Sequence, residues 1–242
     1  MPWDFLLIFF FLALILPWRG WARLQRLLAL PASNSRDRLR LYVSSMTMQW
    51  CVTGLVVWRA FARGLDRAEI GLSLNHVGKL VAVSLGGAIL LTSLHCLNLR
   101  RVAASKQPAA DKLRAIALRI LPHSEGELIV FCGLSLTAGV CEEFLYRGFV
   151  MASLHRVGLG VASCLLISSI MFGLAHAYQG KGGVVGTLLL GTVFGTARIV
   201  YDSLLPVVVW HAAIDVTAGV AGKRYLTENR ALKLEESAQE SL

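Results

Sequence analysis

The residues able to do acid–base chemistry gather in the second half of this 242-residue chain, at three places. Glu142 and Glu143 interrupt an apolar run in the string CEEFLYRGF, with Arg147 four residues after the second glutamate. His176 ends the string FGLAH, one helical turn beyond Phe172, and His211 opens HAAID, four residues before Asp215. An ionised group at the centre of a membrane helix costs at least about 2.5 to 3.5 kcal/mol, so ionisable residues at that depth are read as functional by default. On a helix, residues four apart lie about 40° apart around the axis and ~6 Å along it. Glu143 and Arg147 therefore share a face suited to an ion pair, and His211 and Asp215 share another that can converge on one small target. Glu142 lies about 140° from Arg147 around the same helix. Its carboxylate points elsewhere, next to Tyr146, which assigns Glu143 and Arg147 to structural support and leaves Glu142 for chemistry.

The elements that must carry these groups follow from composition. Hydrophobic residues make up 55% of the chain and the mean hydropathy is +0.60, well above the range of soluble domains. Seven stretches approach the roughly 20 apolar residues needed to cross a bilayer, at residues 3–18, 41–58, 80–97, 128–154, 159–177, 184–200 and 204–222. The expected fold is all-α, a polytopic membrane helix bundle of about seven transmembrane helices (six to eight). The first run lacks a preceding basic residue and is followed by Arg19, Arg23 and Arg26, an order that favours an uncleaved anchor. Residues 1–124 read as N-terminal transmembrane helices with basic cytoplasmic loops, 125–222 as a four-helix core, and 223–242 as a polar C-terminal tail, together one integral membrane domain. After Pro108, periodic Leu, Ile and Arg residues predict an amphipathic surface helix. Gly191 and Gly195 form GxxxG, a spacing that permits close helix packing.

The formal charge of +9 does not indicate nucleic acid. Of the 24 Lys and Arg residues, only Arg59, Arg63, Arg67, Lys79, Arg156 and Arg198 fall on one side of the seven spans, and Arg147 falls within one. The remainder lie on the other side, which puts the long basic loops and the C-terminus in the cytoplasm, beside anionic lipid. The five cysteines all fall within the predicted spans and show no CxxC spacing, so neither a disulfide framework nor a thiolate zinc site is expected.

The strings EEFLYR, FGLAH and HAAID, in that order on successive predicted helices, resemble the three motifs of the CPBP or Abi family of intramembrane endopeptidases, which includes the CAAX prenyl proteases. The resemblance covers about residues 125–222. It implies that Glu142, assisted by His176, activates a water, and that His211 and Asp215 stabilise the oxyanion. Many relatives carry Asn where this chain has Asp215, and an ionised aspartate cannot donate a hydrogen bond; Asp215 would then be protonated or act through His211. Two arrangements stay open, a metal-free glutamate mechanism or a divalent metal such as zinc held by Glu142, His176 and His211. The substrate expected is a membrane-associated protein or peptide, with a bacterial cell membrane as the setting. Rival readings are a non-proteolytic immunity or scaffold relative, and a proton- or cation-coupled transporter in which the same groups form a relay.

Overall fold

The computed structural model describes residues 1–30 and 33–228. The described residues build α1 (Trp3–Ala29), α2 (Ser35–Ala62), α3 (Val77–Ala104), α4 (Pro108–Ile120), α5 (Glu125–Arg156), α6 (Val161–Ala175), α7 (Lys181–Tyr201) and α8 (Leu205–Gly222). A single helical turn, Arg67–Ile70, lies between α2 and α3. Each of the seven apolar stretches falls on a helix. Helices α1, α3, α5, α7 and α8 are long and apolar enough to cross a membrane. Helix α2 has the length, at 28 residues, but carries more polar side chains, and α6 is apolar but only 15 residues long. The amphipathic helix expected after Pro108 is α4, with Pro108 at its first turn, where a missing N–H removes nothing the helix needs. The tail expected from residue 223 begins as a further helical stretch, Lys223–Glu228; positions 229–242 lie outside the described residues.

Local chemistry sets the helix ends. Asn34 accepts a hydrogen bond from the Asp37 N–H at 3.0 Å, and Asp37 Oδ2 accepts from the Asn34 N–H at 3.2 Å, a reciprocal box that starts α2. Ser124 Oγ accepts from the Glu127 N–H at the start of α5. Helix α8 packs on α3 and α5, α6 on α7, and α2 on α5. The outward faces stay apolar: Leu6, Leu7, Phe10 and Leu14 of α1 and Ile89 and Leu90 of α3 are more than half exposed, an arrangement that water disfavours and a bilayer accepts.

A buried ion pair ties α2 to α5. Arg38 Nε and Nη2 donate to Glu127 Oε2 and Oε1 at 2.7 and 2.9 Å, and the His123 backbone N–H adds a third bond to Oε2 at 2.8 Å. Tyr42, one turn further along α2, donates to the Ile120 carbonyl at 2.8 Å.

Candidate active site

The motif residues meet because two helix pairs approach closely. A Cβ built on Gly139 of α5 would lie 2.9 Å from the Val208 carbonyl oxygen and 3.1 Å from Ala212 Cβ of α8. Only a glycine leaves room for that approach, which brings Glu143, one turn later on α5, against His211. Gly191 of α7 does the same for Arg147: a Cβ there would sit 2.9 Å from Nη2. The GxxxG spacing therefore serves packing at one of its glycines by accommodating a buried guanidinium.

Glu143 and Arg147 are fully enclosed. Arg147 Nη1 donates to Glu143 Oε1 at 2.9 Å, the pair expected from their four-residue spacing. The guanidinium carbon lies 4.0 Å from the centroid of the Phe172 ring and 5.6 Å from that of Phe194, so aromatic faces take the place of hydrogen-bond acceptors. Glu143 Oε1 has a second partner, His211 Nδ1, at 2.7 Å. The support pair is thus joined to the imidazole across 68 residues of sequence. The other ring nitrogen of His211, Nε2, lies 3.6 Å from Asp215 Oδ2 on the same helix.

His176 occupies the C-cap of α6. Its Nδ1 is 2.9 Å from the Phe172 carbonyl oxygen. A carbonyl can only accept, so Nδ1 carries the proton, and in the neutral ring Nε2 is an acceptor. That nitrogen faces Glu142 Oε2 at 4.0 Å. The other oxygen of Glu142, Oε1, accepts from Gln49 Nε2 of α2 at 2.8 Å. The level of the site is reached because α6 is short. Glu142 lies about 21 Å along the axis from Arg156 at the end of α5, and α6, running back, has covered about 22 Å when it stops at His176.

Glu142, His176, His211 and Asp215 line one cavity of about 760 Å³, to whose wall α1 contributes Arg19 and Arg23. Arg23 bonds the Ser44 and Ser45 hydroxyls of α2, which ties α1 to α2. Tyr178, just beyond His176, also lines the cavity. Its hydroxyl accepts from Gln179 Nε2 at 3.2 Å, which leaves its own O–H to donate.

Residues 124–217 match the family model described as type II CAAX prenyl endopeptidase Rce1-like. The chain carries an Rce1-like domain. No curated protein and no solved structure matches it. The Rce1-like segment takes in α5, α6, α7 and α8 as far as Thr217, and the family is one of membrane endopeptidases of the CAAX protease type. Gln49 lies outside it, on a helix of the unmatched first half. Sequence reasoning passed over Gln49 and Tyr178, since neither ionises near neutral pH; the one available signal was an amide within a predicted span, in VSSMTMQWCVTGLVV.

The zinc alternative is not supported for this Rce1-like domain. Among the described residues no three His, Cys, Asp or Glu side chains are grouped to hold a metal ion. His211 commits Nδ1 to Glu143 at 2.7 Å and has Nε2 3.6 Å from Asp215 Oδ2.

Proposed function

We propose that the chain is an intramembrane endopeptidase that hydrolyses a peptide bond of a membrane-associated protein or peptide, with Glu142 and His176 activating water. One observation carries this reading: Glu142 Oε2 and His176 Nε2, both acceptors, face each other at 4.0 Å on the wall of the cavity. A water donating one O–H to each keeps a lone pair directed into the cavity. As that oxygen bonds to a peptide carbonyl carbon, its proton passes to Glu142 and the carbonyl π pair becomes the oxyanion. Collapse of the tetrahedral carbon breaks the C–N bond, and Glu142 returns the proton to the departing amine.

His211 and Asp215 serve the oxyanion in this reading. With Nδ1 held by Glu143, His211 turns Nε2 outward, and as an imidazolium it donates there. Asp215 accepts rather than donates when ionised, so it acts by orienting that ring. The Lys and Arg asymmetry supports a C-terminus in the cytoplasm, and the compact, basic, multispan form supports a bacterial cell membrane.

The test uses purified protein in lipid bilayers with membrane-tethered fluorogenic peptides. Glu142→Gln and His176→Ala each reduce turnover at least about 100-fold with unchanged thermal stability; wild-type turnover in either overturns the assignment. Exhaustive chelation leaves turnover intact, whereas a loss restored by zinc replaces the direct glutamate mechanism. Comparing membrane peptides from cells with wild-type and Glu142→Gln protein identifies the substrate.

A further inference from the structure

We infer that Gln49 is a positioning residue for the base, supplied by the half of the chain that the Rce1-like segment leaves out. The inference rests on the endopeptidase reading above. Gln49 Nε2 donates to Glu142 Oε1 at 2.8 Å, across 93 residues of sequence. That bond fixes the plane of the carboxylate and commits one of its oxygens. The oxygen left over is Oε2, the one that faces His176. An amide achieves this without adding charge; a lysine or arginine at the same place would neutralise the carboxylate as a base.

Two further observations separate this from an ordinary interhelical hydrogen bond. The face of α2 that bears Gln49 is otherwise buried in the bundle through Arg38, Tyr42, Thr53, Val56 and Ala60, at helical spacings that make position 49 a packing position. The helix is held on either side of it, by Arg38 on Glu127 and by Trp50 Nε1 donating to Thr137 Oγ1 at 3.3 Å. The amide is thus carried on a clamped helix. In addition, Gln49 Oε1 and Glu142 Oε2 are both buried without a hydrogen-bond partner among the described residues, and both residues line the cavity. Buried acceptors left unpaired are costly, so these two are placed to receive the O–H and N–H groups of water and a bound peptide backbone.

Two variants test it in the full-length protein with the same tethered peptide. Gln49→Glu keeps the shape and removes the N–H donors; Gln49→Leu removes donor and acceptor. Both lower kcat about tenfold or more, with KM within twofold of wild type, because the hydrogen bond they break orients the base and not the peptide. Thermal melting gives a readout that needs no turnover: Gln49→Leu lowers Tm in the wild-type background but not in Glu142→Leu, since the pair is already broken there. Wild-type kcat in either variant, a change confined to KM, or additive Tm shifts overturns the role of Gln49. Absence of turnover by the wild-type protein strikes the endopeptidase reading instead, so the two failures are distinguishable.

Discussion

Arg147 shows how a charge is kept where no water reaches it. Its guanidinium makes one hydrogen bond, to Glu143, while Nε and Nη2 have no hydrogen-bond partner among the described residues and the Phe172 ring lies against its face. Removing one member of a buried pair leaves the other uncompensated, at a cost of about 3 to 5 kcal/mol. Arg147→Met is therefore expected to lower Tm sharply in bilayer or detergent. The double variant Glu143→Leu/Arg147→Met recovers most of that stability and still fails to turn over, because His211 no longer has an acceptor for Nδ1. Calorimetry and kinetics on the same preparations check both halves; a double variant with wild-type kcat would show that Glu143 does nothing for His211. Interactions of this kind divide into two classes of legibility. Glu143 with Arg147, and His211 with Asp215, follow from helical periodicity within one segment. Glu143 with His211, and Gln49 with Glu142, depend on which helices pack together, and periodicity carries no information about that.

At the scale of the helices, the site depends on where they touch and where they stop. The close approach at Gly139 sets the distance between α5 and α8. Gly139→Leu is expected to wedge the pair apart, break the bond between Glu143 and His211, and lower kcat at least tenfold while circular dichroism shows unchanged helix content. Retained activity would mean that α8 yields without displacing His211. The apolar runs foretold the helices themselves, because hydrophobic length is the strongest signal a membrane chain offers. They did not foretell that α6 would end at His176. The apolar run read from the sequence ends at residue 177, one beyond the His176 cap, and hydropathy does not register the capping geometry that closes the helix at Ala175.

Across the whole molecule, the two halves of the chain meet at the Arg38–Glu127 pair, on helices whose packing also carries Gln49 to Glu142. Arg38→Leu, about 16 Å along α2 from Gln49, removes the counter-charge of the buried Glu127 carboxylate and leaves it the His123 N–H alone of the three bonds described above. Tm and kcat are expected to fall together, as measured on one reconstituted sample; an unchanged kcat with lowered Tm would show that α2 keeps its register without the clamp. The short α6 has a consequence for the membrane around the protein. Its outer stripe, Leu166, Ile170 and Leu174, is exposed, yet the helix spans about 22 Å against a hydrocarbon core of about 30 Å. Local thinning of the bilayer is one way a helix of this length is matched. With the bilayer thinned in that way, a substrate drifting in its plane would meet the thinnest point beside α6, the helix that ends at His176, where drawing a peptide bond out of hydrocarbon and into water takes the least work.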